Sequence, residues 1–395
     1  MKGAAQFAAL ALTLGPSLGC GSSARDTTDA GNPDASTCVP GGDGGYRDAP
    51  YANLSDYCLI AMTDAGLSPL PGAVPFDLNT PFFSDYAVKL RTVWMPPGTA
   101  ATYDPTNVFT FPDGTIFTKS FGWSTAQSSP VMTWIETRVE MFVGGKWVLQ
   151  AYRWNDAGTD ATLDPGGEFV PLSVVEADGG VLAVNHLVPS PSQCAQCHDD
   201  NANNAPIGPK ARQLNGSYTY PDGTTANQLA WWTDAGLLTG APDPSLAPVL
   251  PVWNDPTTGT VEQRARAYLE GNCAHCHNPD GYASPQGLTL WASDQSPADY
   301  GVCDPSSIAF SIPGEHFVIV PDDPANSLLL YLMSSTTAGS LMPPLGRSVE
   351  DIEGVTLVGS WISGLDAGSQ VSEADGGAST TADGGIDSGS TGVCG

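Results

Sequence analysis

Two periodicities divide the chain. Between residues 50 and 188 apolar positions tend to alternate with polar ones, most clearly in VMTWIETRVEMFV at 131–143. Val131, Ile135, Val139, Met141 and Val143 fall on one face of a strand, and Glu136, Arg138 and Glu140 on the other. Gly144-Gly145 then turns the chain, and KWVLQAYRW supplies a partner strand. VFTFPDGTIFTKSF predicts a second hairpin with Asp113-Gly114 in its turn. Helical spacing is weak here, so an all-β, sandwich-like domain is expected over 49–189.

From residue 190 the pattern changes. VEQRARAYLEGN at 261–272 is a good helix former. NSLLLYLM at 326–333 predicts a short apolar helix. SVEDIEGVTLVGSWISGL at 348–365 places Ile352, Val355, Val358, Ile362 and Leu365 at helical spacing, with Ser348 as its expected cap and Asp351 three residues on. The expected fold class is therefore α+β and multidomain, β structure first and a mainly α-helical region after it. Long loops connect the helices, and ANQLAWWTDAGLL at 226–238 is a further candidate helix. Asp-Ala-Gly recurs at 29, 64, 156, 234 and 366, with an irregular spacing that suits turn punctuation better than a structural repeat.

Composition changes the picture at the two ends. Residues 20–48 and 366–395 are rich in Gly, Asp, Ser and Thr, as expected of a linker and an acidic tail without a packed core. Residues 1–19 combine Lys2, an apolar run too short to span a bilayer, and small residues, the layout of an export signal. SLGC places Cys20 where lipid attachment is expected, and the resemblance to bacterial lipoproteins, with no Asp after Cys20, implies an outer-membrane lipoprotein exposed to the periplasm or the cell surface. The formal net charge of −28 argues against nucleic acid and against an anionic membrane surface. It permits a basic partner protein.

The chemistry lies in the cysteines. SQCAQCHDD at 192–200 and EGNCAHCHNPDG at 270–281 each hold Cys-x-x-Cys-His. That spacing is the attachment pattern of c-type haem: thiols three apart share a helical face, and the following histidine can sit beneath the iron. Cys194, Cys197, Cys273 and Cys276 are thus the expected attachment residues, and His198 and His277 the expected metal ligands. Zinc ribbons separate their pairs by roughly 15–20 residues, whereas 75 residues lie between these. A redox dithiol competes less well because it wants a βαβ context, which is absent, and a plain disulfide framework because it needs no histidine after both pairs. Of the nine cysteines, Cys38, Cys58, Cys303 and Cys394 remain beside Cys20 and the motifs. Two disulfides are expected, Cys38–Cys58 and Cys303–Cys394 being the simplest pairing.

Met342 in GSLMPPLGRS is the expected sulfur ligand of the second iron, ahead of Met333 on its apolar helix. The first motif has no evident sixth ligand. His186, His275, His316, Lys210 and Met141 are candidates, and an open iron is another. His186 in VLAVNHLVPS is more simply a packed or surface residue, and His275 a solvent-facing position between two cysteines. Trp231 and Trp232 either pack on a porphyrin or form ordinary core.

From 260 to 365 the order of helix, Cys-x-x-Cys-His, loop, VPDDPANSLLLYLM, LMPPLG and final helix resembles the cytochrome c fold and the small cytochrome modules of planctomycete-type secreted proteins. A longer run is more specific: FDLNTPFFSDYAVKLRTVWMPPG, FPDGTIFTKSF, IETRVEMFVGGKWVLQAYRWNDAGTDA, QCAQCH, PIGPKARQLN, NQLAWW and GNCAHCHNPDG, in that order. Together they resemble a bacterial family of exported dihaem c-type cytochromes, over roughly residues 50 to 365. The resemblance implies two covalent haem c groups, a cytochrome c-like domain over 259–365, a first haem-binding segment over 190–258, and electron transfer to a redox partner protein at the cell envelope. A peroxidase-like enzyme with an open first haem is the alternative, and a haem-based sensor or envelope binding protein a third.

Overall fold

The computed structural model describes residues 38, 40, 49–125, 132–175, 179–198, 205–305, 317–366 and 394. Strands concentrate in the first half and helices in the second, as the periodicities predict. A short ribbon, β1 (Ile60–Thr63) and β2 (Gly66–Pro69), comes first. β3 (Val74–Phe76), β4 (Val88–Trp94) and the two-residue β5 (Ala101–Thr102) follow. Then come the long strands β6 (Ile116–Ser124), β7 (Met132–Val143) and β8 (Lys146–Trp154), and the short β9 (Ala161–Leu163). A second ribbon, β10 (Glu168–Val175) and β11 (Val181–Val188), leads into α1 (Pro191–His198).

Six strands form one antiparallel sheet in the order β3-β4-β6-β7-β8-β9. Its two faces differ. Trp94, Ile116, Val139, Met141 and Tyr152 point to one side and pack with Leu54, Tyr57, Leu59 and Ile60. Hydroxyl pairs lie between the strands on that side, Thr92 with Thr118 and Ser120 with Thr137, both at 2.7 Å. Burial demands such pairing, because a lone buried hydroxyl costs more than an apolar group. The other face carries Arg91, Lys119 and Arg138, directly opposite one another on β4, β6 and β7.

The β7–β8 hairpin forms around Gly144 and Gly145, both at positive φ, where a side chain would strain the turn. Ile135 leaves the face expected for it. A register shift at Phe121/Gly122 turns it toward Phe121, Trp123, Val170 and Val184, where the β10–β11 ribbon covers the sheet. Val131 lies outside the described residues. The second expected hairpin does not form. β6 pairs with β4 and β7, while Thr110 bridges Thr102 and Val108 bridges Lys210. The aromatic pattern explains this: Phe109 and Phe111 are buried with Phe76, Phe117 and Trp147 instead of pairing along β6.

The second half begins with α2 (Ala211–Leu214), β12 (Ser217–Thr219), β13 (Thr225–Asn227), α3 (Gln228–Asp234) and β14 (Leu238–Thr239). β14 pairs in parallel with β5, which joins the two halves. Three helices follow: α4 (Val261–Asn272), α5 (Leu328–Ser334) and α6 (Ile352–Ile362). They share a core of Leu269, Leu290, Ile319, Leu329, Val358 and Ile362. α4 opens with a capping box between Thr260 and Gln263. α6 starts later than expected, and its cap is Asp351, which accepts from Gly354 N at 3.1 Å. Ser348 is engaged elsewhere, by Asp85. Asp-Ala-Gly falls at turns at 64–66 and 156–158, and at the end of α3 at 234–236.

Residues 77–86 strap the halves together. Asn79 Nδ2 donates to Leu250 O at 2.9 Å, Gln213 brackets Thr80, and Phe83 N donates to Asn272 Oδ1 at 2.7 Å. Asp85 accepts from the Ser348 and Val349 amides. Asp85 and Tyr86 take positive φ to do so, 49° and 59°. These bonds bring the first cysteine segment, hung from the sheet, against the second, which ends α4.

Candidate metal centre

Helix α1 carries the first segment. Ser190 starts it, its carbonyl accepting from the Gln193 and Cys194 amides at 3.0 Å. The second segment is a turn that tightens the end of α4: Cys273 N donates to Leu269 O at 2.8 Å and His277 N to Cys273 O at 2.9 Å. The residues between are remote in sequence, yet the two segments meet. Cys276 Sγ reaches Gln196 O at 3.7 Å, 80 residues away. Cys197, His275 and Cys276 bring one ligand atom each within 4.8 Å of one another.

The electrostatics of the four thiols differ. Cys197 is lowered to about 4, first by its hydrogen bond with Cys276 and against the cost of burial. Cys276 moves the opposite way, because it keeps the proton of that bond. Burial raises Cys194 to about 11 and Cys273 to about 12. Burial also lowers His277 to about 4. The Nδ1 atoms of His275 and His277 are buried without a hydrogen-bond partner, and the His275 ring lies edge-on to Phe82 with 5.5 Å between centroids. A buried unpaired imidazole nitrogen is costly, and a metal ion is one group that would satisfy it.

A cleft of about 1240 Å³, its open mouth included, lies beside the cluster. Cys194, Cys197, His198 and His275 line it on one side, and the cationic face of the sheet on the other.

This geometry overturns the expectation of two covalent haem c groups. That chemistry needs each motif's two thiols turned to its own porphyrin, with its own histidine beneath the iron. Instead one thiol of each motif joins His275, and neither of the two expected axial histidines belongs to the cluster. His198 Nδ1 meets Ala205 O at 3.1 Å, and its Nε2 lies 3.8 Å from Glu140. The reading as a dihaem cytochrome falls with it, together with its electron-transfer function and the family resemblance. No family model, no curated protein and no solved structure matches this chain.

The remaining candidates are dispersed. Met342 is half-buried in a loop fixed by Arg347, whose guanidinium donates to Met342 O at 2.7 Å and Leu332 O at 3.1 Å. Met333 and Met141 are buried in two different cores. His186 is fully buried, its Nε2 2.7 Å from Glu136 Oε2, with Trp123 beside it. Lys210 Nζ sits 4.0 Å over the Trp291 ring. Trp232 is core against Phe76, and Trp231 stacks on Tyr220. Cys20 and His316 lie outside the described residues. The expected disulfides Cys38–Cys58 and Cys303–Cys394 both form, leaving the motif thiols free. His275 is the residue that sequence reasoning undervalued. Its only signal was a third potential ligand inside an already ligand-rich segment.

Proposed function

We propose that this chain holds one transition-metal ion of the zinc class between its two Cys-x-x-Cys-His segments. Cys197 and Cys276 supply thiolates and His275 an imidazole, a donor set suited to borderline-soft metals. The convergence of these three atoms within 4.8 Å, from segments so far apart in sequence, carries the reading. Three protein ligands leave a coordination position open, as in catalytic zinc sites, where the ion polarises a bound oxygen. The cleft beside the cluster gives a small molecule access to it.

The finer fold reading is a partial sandwich. The β10–β11 ribbon covers one part of the sheet and the helical half roofs the rest. Two disulfides support an oxidising, extracytoplasmic setting. We place the chain at the cell envelope, anchored through Cys20, where its negative charge favours cationic partners. Among the described residues no helix is long and apolar enough to cross a membrane.

The hydrogen bond between Cys197 and Cys276 favours a second reading, a dithiol that closes on oxidation. Metal analysis and non-reducing intact mass of the full chain, recovered from the envelope, separate the two. The metal reading expects one ion per chain, lost in Cys197→Ser and Cys276→Ser and kept in Cys194→Ser and Cys273→Ser. Loss of one ligand should weaken zinc at least about a hundredfold, beyond the effect of outer-shell changes. A metal-free chain with Cys197 bonded to Cys276 selects the dithiol. Ion retention in the Cys197→Ser variant, or a mass raised by a group bonded through the motif thiols, overturns both.

A further inference from the structure

The chain has 14 basic residues against 42 acidic ones, yet four of those 14 line one cleft: Arg91, Lys119, Arg138 and Lys210. Three of them form a row. Arg91 of β4 is registered on Lys119 of β6, and Lys119 on Arg138 of β7. Like charges directly opposite in a sheet repel and destabilise it. Three in line need counter-charges, and Asp77 and Glu136 supply two of them.

Their partners leave capacity unused. Arg138 pairs with Glu136, and Arg91 uses Nη1 for Asp77. Arg91 is 5% exposed, and its Nη2 is buried without a hydrogen-bond partner. Lys119 Nζ rests on aromatic faces, 5.0 Å from the Phe121 centroid and 6.0 Å from that of Phe82. Burial, then Arg91 and Arg138, hold the Lys119 ammonium well below its ordinary value. An anion beside it would restore its charge.

The other walls are apolar, with Phe76, Leu78, Phe82, Phe117 and Trp291. Phe82 stands between the cation row and the cluster, since its ring meets both Lys119 and His275. Glu140 and Glu270 also line the cleft, Glu270 paired with Arg212, and with Asp77 on Arg91 and Glu136 on Arg138 the acids nearly match the cations. That balance suits a singly charged group rather than a polyphosphate.

We infer that the cleft binds a small organic carboxylate with an apolar body. Arg91, Lys119 and Arg138 hold the acid group, and Phe82 and Phe117 contact the body. The inference rests on the metal reading only for what the far end of the molecule meets. The carboxylate site itself needs no metal.

Calorimetric titration of the full chain with benzoate, benzamide and inorganic phosphate tests this, in metal-free and zinc-loaded forms. Benzoate should bind both forms at least about tenfold more tightly than benzamide, the effect of a charge-assisted hydrogen bond, and phosphate should bind more weakly than benzoate. Arg91→Gln should weaken benzoate about tenfold or more, while Lys146→Met, on the exposed β7–β8 turn, should change nothing. Lys119→Met separates binding from folding. It relieves the repulsion and should raise Tm while weakening benzoate. Equal binding of benzoate and benzamide, or Lys119→Met leaving affinity unchanged, overturns the inference. Zinc bound with no benzoate in either form overturns it alone. Benzoate bound with no zinc overturns the metal reading alone.

Discussion

The two regions that carry the cysteine segments are built from different forces. The first segment hangs on a sheet face with buried charge: Glu136, Arg138 and His186 form a network, and Glu136 and His186 are fully buried. The second ends a helix whose neighbours are apolar, with Leu269, Ala274, Leu290 and Val358 all at or near zero exposure. One region is specified mainly by ion pairs that burial makes costly to break, the other mainly by packing and helix caps, with one buried pair, Arg212 with Glu270, at its edge. The same five-residue pattern therefore sits in two environments. His198 lies near a carboxylate, whereas burial and then the neighbouring His275 lower His277. A motif sets which atoms are available, and the surroundings set what they meet.

Breaking the charged side should have the largest effect. Glu136→Ala leaves Arg138 and His186 without their carboxylate, and such a loss costs about 3–5 kcal/mol. The effect should depend on pH. Burial alone would raise the Glu136 carboxyl, but Arg138 and then His186 outweigh it and hold it below its ordinary value. A lowered carboxyl gives stability that is fully present above the unfolded value of about 4.3 and lost as pH falls through the folded one. Denaturant unfolding of wild type and variant should show the gap at neutral pH and a narrower gap in acid. A gap independent of pH would mean the network acts by packing alone.

Leu269→Ala is the matching cut on the helical side. Leu269 is fully buried in the α4–α6 core. Removing a buried leucine to this extent costs about 2–5 kcal/mol. Denaturant melts at neutral and acid pH should give the same loss, since no charge is disturbed. A loss that shrinks in acid would erase the contrast between the two regions.

Much of this contrast was legible in the sequence, in pieces. Alternation in 131–143 put Glu136, Arg138 and Glu140 on one face, and helical spacing in 348–365 found α6. Counting cysteines left four for two disulfides, and the simplest pairing is the one that forms. What could not be read was non-local. The row of Arg91, Lys119 and Arg138 exists only once strand order and register are fixed. The shift at Phe121/Gly122 moved Ile135 to the other face, and no local pattern announces such a bulge. The haem expectation failed for the same reason. Two local motifs were read independently, and their meeting depends on the 77–86 strap, whose residues carry no cysteine at all.

Gly354→Ala sharpens the packing argument by setting two opposed effects against each other. In a helix interior alanine is favoured over glycine by about 1 kcal/mol. A Cβ at Gly354, however, would come within 2.4 Å of the Tyr268 ring. That ring cannot swing away cheaply, because its hydroxyl donates to Asp351 at 2.9 Å and is buried. Overpacking costs about 1–3 kcal/mol, so the clash should win and Tm should fall. A rise in Tm would show that α4 and α6 adjust freely.

The smallest effect should come from the start of α4. Thr260 Oγ1 accepts from Gln263 N at 3.2 Å, and Gln263 Oε1 accepts from Thr260 N at 2.9 Å. Thr260→Ala removes the first of these, a loss of about 1 kcal/mol for a helix cap. The second bond survives, because it uses the backbone of residue 260. α4 ends twelve residues later at Asn272, directly before Cys273, so fraying at its start lies about three turns from the Cys197–His275–Cys276 cluster. Stability should therefore drop while zinc affinity stays within error. If zinc binding weakens in parallel, the second segment depends on the whole length of α4, and its region is less rigid than its apolar core implies.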